Sequence, residues 1–294
     1  ADDEADRVSR PAGPRGIKAG PAPSGQYPIE RRAGEIERLH VQGDAMALDA
    51  AIMLDRIGVG PGWRCLDAGC GPGGITDLLG ERVGPTGAVV GLDADPVFLE
   101  HARTHRRATN VEFVLGDAYR TRLPSRRFDL THVRFVAGTA GAPTALLREM
   151  IRLTRPGGVV AFQEPDIATL NCYPPHPAWD RLKLVLEEAF TCVGADVRLA
   201  QRLYQLARGA GLEDVHYRPF LIGVRAGDPM IDFMPETVES VRGTLLDRRL
   251  IAPDELEAAL AACRAHLAHP DTVFTTVTVA QVWGRVRAGG SDAR

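Results

Sequence analysis

Leu66-Asp67-Ala68-Gly69-Cys70-Gly71-Pro72-Gly73-Gly74 decides the reading of this chain. A short apolar run over residues 63–67 feeds a glycine-dense turn, and a helical pattern follows over residues 75–81. Glycines permit the tight bend and let a ligand come close to the backbone. Gly69, Gly71 and Gly74 also satisfy the G-x-G-x-x-G spacing of a dinucleotide turn. Asp67 just before the turn and Asp77 after it oppose a diphosphate, because both would repel it at a helix N-terminus. A zwitterion with an ammonium group suits Asp67 better.

Outward from this turn, strands and helices alternate. Strands are expected at residues 88–93, 111–115, 128–134 and 159–163, later at 215–224, and last at 272–286. Helices are expected at 96–105, with Asp95 as cap and Pro96 in the first turn, at 145–154 before Pro156-Gly157-Gly158, and at 199–210. Such alternation implies βαβ units and an α/β, Rossmann-like sheet of seven mostly parallel strands with helices on both faces. The expected organisation is a disordered tail at 1–26, an N-terminal helical cap at 27–62, and a core at 63–286. Insertions at about 166–194 and 227–269 interrupt that core, and a tail closes the chain at 287–294. The cap and insertions are expected to roof the active edge of the sheet.

The chain has 294 residues, 45% of them hydrophobic, and a formal net charge of −3. That suffices for one large domain and disfavours nucleic acid as a partner. No apolar run is long enough for a bilayer, and no secretory signal is evident at residues 1–26. Five dispersed cysteines without a C-x-x-C pair suit a reducing, cytoplasmic setting. Lysine occurs only at Lys18 and Lys183, a composition that hints at a high-GC bacterial origin.

Two further carboxylates follow the turn at strand ends. Asp93, followed by Ala94, stands 24 residues after Gly69, near the offset of a ribose-binding acid. Asp117, in Gly116-Asp117-Ala118, is placed to accept from an exocyclic amine, with the Ala118 N–H free to donate to a ring nitrogen. Phe98 could cover the same ring, although an ordinary core role explains it as well.

Taken together, LDAGCGPGG, VVGLDADP, the GDA after the third strand, FDLTHVRFV and LTRPGGVVAFQEPD resemble the class I S-adenosylmethionine-dependent methyltransferases of the small-molecule type, such as the ubiquinone/menaquinone and natural-product methylases. These motifs stand in the family's order over residues 63–166. The resemblance implies that Gly69 and Gly71 hold the methionine part with Asp67 near its amino group, that Asp93 binds the ribose hydroxyls, and that Asp117 and Ala118 bind adenine; Ala94 and Phe98 are counted as cofactor-binding candidates beside them. Arg134 could reach the carboxylate or serve as an ordinary ion-pair arginine. On the N-terminal helix, Arg38 and Gln42 share a face four residues apart. Either could close over the methionine end, joined by Tyr27.

Transfer from a sulfonium is an in-line displacement, so the protein's task is alignment and exclusion of water. A base is needed only for a protonated acceptor. The candidates are His40 on the closing helix, His132 inside an apolar strand where a packed histidine is the simpler reading, His176 in the first insertion, and Glu164 after the fifth strand. No metal-cage spacing is present, so metal-independent transfer is expected. The insertions carry Tyr173, Trp179, Phe190, Met230, Phe233 and Met234, which suggests an acceptor of moderate hydrophobicity. The same residues could instead pack the cap, or form a homodimer. An S-adenosylmethionine-binding protein without transfer, a cyclase or regulatory module, is the alternative. A nicotinamide oxidoreductase leaves Asp67, Asp117 and the Pro-Gly-Gly turn unexplained.

Overall fold

The structure is a computed structural model that describes residues 34–288. The expected N-terminal tail at 1–26 and Tyr27 lie outside the described residues. A central sheet has the order β3-β2-β1-β4-β5-β10-β7. Its strands are β1 (Arg64–Ala68), β2 (Ala88–Asp93), β3 (Val111–Leu115), β4 (Phe128–Arg134), β5 (Thr154–Asp166), β7 (Glu213–Phe220) and β10 (Thr278–Arg285). The first five run parallel, and β10 lies antiparallel between β5 and β7. The strand order reverses between β1 and β4, and ligands of open α/β sheets bind in the crevice at such a point.

Alternation along each strand splits the core into two layers. Cys65, Val89, Leu130, Ala161 and Trp283 pack beneath α2 (Ala47–Ile57), α3 (Thr76–Val83) and α4 (Pro96–His105). Leu66, Leu92, Val133, Phe162 and Val282 face α5 (Pro143–Leu153) and α7 (Leu203–Gly209) on the other side. Helix α5 shows why a local sequence folds as it does. Pro143 sits in its first turn, and Leu146, Leu147, Met150 and Leu153 form one buried stripe. Each such side chain contributes about 1.5–3 kcal/mol by leaving water. The helix stops at Thr154, ahead of Pro156, which cannot continue it.

The helical run before β1 divides in two, and two strand expectations are corrected. The N-terminal helical run is two helices, α1 (Glu35–Ala45) and α2, parted at Met46. Met46 packs into the cap core, whereas Ala50 and Met53 pack on the sheet, so one straight helix could not serve both. The run 215–224 splits into β7 and β8 (Gly223–Arg225), and the run 272–286 splits into β9 (Val273–Thr275) and β10. At the bend the Thr276 hydroxyl accepts the Ile222 N–H at 3.0 Å, and the Ile222 carbonyl accepts the Thr276 N–H at 2.9 Å. A side-chain oxygen thus replaces a ladder acceptor, and the ribbon leaves the main sheet. The departing pieces join β6 (Asn171–Tyr173) in a second sheet of order β6-β9-β8, which no strand expectation anticipated. The insertions are therefore built around their own core. There α6 (Pro177–Cys192), α8 (Phe233–Glu239), α9 (Arg242–Asp247) and α10 (Pro253–Leu267) enclose Trp179, Met234, Leu245, Leu260 and Phe274.

Candidate functional site

The glycine turn lies at the carboxyl end of β1, and its backbone is pinned when the Leu92 carbonyl accepts the N–H groups of Gly69 and Cys70 at 2.7 and 3.0 Å. Gly69 has φ +76°, and a Cβ there would stand 2.3 Å from a Val136 methyl. Gly74 has φ +49°, and its Cβ would stand 2.7 Å from Asp67 Oδ2. Both positions therefore demand glycine. The Asp93 carboxylate ties this turn to the next one. Its Oδ2 accepts the Gly71 N–H at 2.7 Å and its Oδ1 accepts the Asp95 N–H at 2.8 Å. Burial nevertheless pushes its pKa upward, against those two hydrogen bonds. Asp95 caps α4 through the Val97 N–H.

A cavity of about 830 Å³ opens over these turns. Asp67, Gly69, Gly71, Asp93, Ala94, Phe98, Asp117, Ala118 and Arg134 all line it, as do Arg38, His40 and Gln42 of α1. Asp117 Oδ1 accepts the Tyr119 N–H at 2.8 Å, which fixes the turn after β3. Beyond the carboxylates the wall becomes apolar, formed by Phe135, Ile167, Leu170, Leu186, Phe190 and Val277, with Phe233 from the cap. Among the aromatic and methionine candidates of the insertions, Phe190 and Phe233 reach the cavity. Trp179 and Met234 are buried in the cap core, as is Met230, and Tyr173 is exposed.

Helix α1 crosses the cavity. Arg38 donates to both Glu35 oxygens at 2.6 and 3.0 Å and to Gln42 Oε1 at 3.0 Å. Glu35 in turn accepts the Ser240 hydroxyl of the cap at 3.0 Å. At the other side His40 Nε2 lies 2.8 Å from His101 Nε2 on α4.

The base candidates separate. His40 is at the cavity. His176 is the N-cap of α6, accepts the Ala178 N–H and stacks on His266, away from the cavity. Glu164 also lies off the cavity wall, fully buried, where its carboxylate accepts the N–H groups of Val136, Ala137 and Gly138 at 2.9–3.2 Å. It shapes the loop after β4 rather than facing an acceptor, because a buried carboxylate is tolerated only where donors converge on it. Burial pushes its pKa up to about 7. A carboxyl raised in the folded state stabilises most below its ordinary pKa and loses that contribution as pH rises through the folded value. Relative to Glu164→Gln, the wild type should lose roughly 3 kcal/mol of stability between about pH 4.5 and pH 7. Paired urea titrations across that window check this, and parallel profiles would refute it.

His132 is fully buried beneath α2 and does not line the cavity. Its Nδ1 lies 2.7 Å from Asp67 Oδ1, and its Nε2 lies 2.9 Å from Gln163 Nε2. The sequence reading leaves out Gln163 and Gln281, which the structure joins to His132. The available signal was an amide at an inward position of two apolar strands, Val-Val-Ala-Phe-Gln and Val-Ala-Gln-Val-Trp.

The site asks for a zwitterionic ligand with hydroxyl and amine donors. Arg134 Nη1 is buried and has no hydrogen-bond partner among the described residues, and the side chain lines the cavity next to Asp67. A cation left orphaned in this way fits a ligand carboxylate. Asp93 and Asp117 keep free lone pairs for donors. Among the described residues no group of three or more His, Cys, Asp or Glu could hold a metal ion, and no helix is long and apolar enough to cross a membrane.

Comparison with known proteins gives the same class. A family model described as a methyltransferase domain matches residues 60–211. Demethylmenaquinone methyltransferase of Geobacillus stearothermophilus is 28% identical over 189 residues, 59% of this chain and 81% of that one. Trans-aconitate 2-methyltransferase of Methylobacterium radiotolerans is 37% identical over 42% of this chain and 46% of its own length. An uncharacterised 37.1 kDa protein in transposon TN4556 of Streptomyces fradiae is 36% identical over 44% of this chain, and the match spans 37% of that protein. Among solved structures, the YcgJ protein of Bacillus subtilis shares the fold at TM-score 0.54 and 16% identity, over 81% of this chain and 97% of that one. Fold and site thus define a class I S-adenosylmethionine-dependent methyltransferase. The chain belongs to the methyltransferase-domain family, and its cofactor is S-adenosylmethionine.

Proposed function

We propose that this protein methylates a small, moderately hydrophobic organic acceptor on oxygen, nitrogen or carbon, by in-line displacement and without a metal. The observation that carries this reading is the single cavity with two chemistries: glycine turn and carboxylates at one end, aromatic and aliphatic side chains at the other. Its volume of about 830 Å³ falls within the range of small-molecule sites. The relatives named for demethylmenaquinone and trans-aconitate support an organic acceptor.

In this reading Gly69 and Gly71 bring backbone against the methionine part and Asp67 faces its ammonium. Arg134 takes its carboxylate, with Arg38 and Gln42 closing above. Asp93 and Ala94 hold the ribose, and Asp117, Ala118 and Phe98 hold the adenine. When bound, S-adenosylmethionine supplies an electrophilic methyl group. Phe135, Ile167, Leu170, Phe190 and Phe233 exclude water and align the acceptor, which is the protein's main contribution to such a displacement. His40 is the one proposed base candidate that borders the cavity.

A calorimetric titration with S-adenosylhomocysteine, run beside NADH, tests the reading. Micromolar binding of the first and none of the second is expected. A folded sample that ignores S-adenosylhomocysteine would defeat it.

A further inference from the structure

A chain of polar groups, part-buried at Arg218 and Asp49 and buried from Gln281 to Asp67, crosses the sheet beneath α2. It begins at Arg218 on β7, which donates through Nη2 to Asp49 Oδ1 at 2.5 Å and through Nη1 to Gln281 Oε1 at 2.8 Å. Gln281 Nε2 donates to the Asp49 carbonyl and to Gln163 Oε1, both at 2.9 Å. Gln163 Nε2 meets His132 Nε2 at 2.9 Å, and His132 Nδ1 meets Asp67 Oδ1 at 2.7 Å. Register supports the path, since Arg218 lies opposite Gln281, Gln281 opposite Gln163, and Asp67 opposite His132.

The direction of every bond in this chain is fixed. A guanidinium only donates and a backbone carbonyl only accepts, so Gln281 must present Oε1 to Arg218 and Nε2 to Asp49 and Gln163. Gln163 then accepts through Oε1 and has only its amide N–H to offer His132. His132 Nε2 must therefore be an acceptor, and its ring proton must sit on Nδ1, directed at Asp67.

We propose that Arg218, Gln281 and Gln163 act as positioning residues that hold His132 as the neutral Nδ1–H tautomer, so that Asp67 keeps its full negative charge for the ammonium of the bound cofactor. A doubly protonated His132 would form an internal ion pair with Asp67 and compete with that ammonium. The Gln163 amide blocks this by occupying Nε2 with a donor. Ile75 N–H is the other group that Asp67 accepts, at 3.2 Å, so its remaining lone pairs are left to the cavity. The effect on cofactor affinity rests on the reading of Asp67 given above, whereas the proton map does not.

The full chain labelled with nitrogen-15 histidine tests this by long-range proton–nitrogen spectra at neutral pH, with His132 assigned through its own backbone. The native protein should show a protonated Nδ1 and a bare, pyridine-type Nε2. A proton on Nε2 in the native protein would overturn the proposal, whatever the variants do. In Gln281→Glu the new carboxylate offers only acceptors, so Gln163 must turn and present Oε1 to His132. Gln163→Glu presents an acceptor directly. Each variant should protonate Nε2 and weaken S-adenosylhomocysteine binding about tenfold, as one charge-assisted contact is shared. A folded variant whose Nε2 stays bare also overturns the proposal. Failure of the native protein to bind S-adenosylhomocysteine would instead count against the site reading, since the native spectrum tests the proton map independently.

Discussion

Asp93→Ala should lower the affinity for S-adenosylhomocysteine by about 100- to 1,000-fold, the largest single effect expected in this protein. The side chain acts twice. Its outward lone pairs are those proposed to accept the ribose hydroxyls, and hydrogen bonds to a charged acceptor contribute about 1.5–3 kcal/mol each. Its inward lone pairs accept the Gly71 and Asp95 N–H groups, so truncation also orphans two donors and loosens the glycine turn itself. Two lost ligand bonds at the lower end of that span, about 1.5–2 kcal/mol each, give the stated range at about 1.4 kcal/mol per tenfold. Asp93→Asn keeps one carbonyl acceptor and should lose only about 10- to 30-fold. Because burial raises the Asp93 pKa, binding by the wild type should also weaken on acidification at a higher pH than an ordinary aspartate would give. Calorimetry on the three proteins measures all of this, and equal affinities for wild type and Asp93→Ala would remove Asp93 from the site.

Replacing Arg134 should move stability and binding in opposite directions. The ligand-free protein buries a guanidinium nitrogen with no hydrogen-bond partner among the described residues, and burial lowers the pKa of the group while nearby Asp67 raises it. Arg134→Met fills the same volume without a charge, so the ligand-free protein should gain about 1–2 kcal/mol in urea unfolding. The same substitution removes the proposed partner of the ligand carboxylate and should weaken S-adenosylhomocysteine binding about 10- to 100-fold. A variant that unfolds earlier yet binds normally would make Arg134 a packing residue and break this account.

The core was legible because its signals are local. The glycine turn, the aspartates at the ends of β2 and β3, and the stop at Pro156 each follow from neighbouring residues, and the first four strands fall within one residue of where the sequence placed them. What the sequence hid depends on distant partners. Glu164 reads as a free acid at the sheet's active edge until the loop 136–138 folds three N–H groups onto it. His176 reads as a base until Ala178 and His266 occupy it. The bend between β9 and β10 requires Thr276 to meet Ile222 across 54 residues, and no periodicity carries that information. Gln163 and Gln281 looked like scattered amides in apolar strands, and only the sheet order makes them neighbours.

The ribbon that leaves the main sheet at Thr276 has a mechanical consequence. Two backbone strands run unbroken in sequence from the core into the cap and remain bonded to each other at the bend. Swinging the cap as a rigid door would have to twist this strut and shear its ladder, whereas α1 meets its surroundings through side chains that include Glu35 at Ser240, His40 at His101, and Val41 and Ala45 against the cap core. Roof and core are thus spliced through a shared two-stranded ribbon, while α1 spans the opening on side-chain contacts to both.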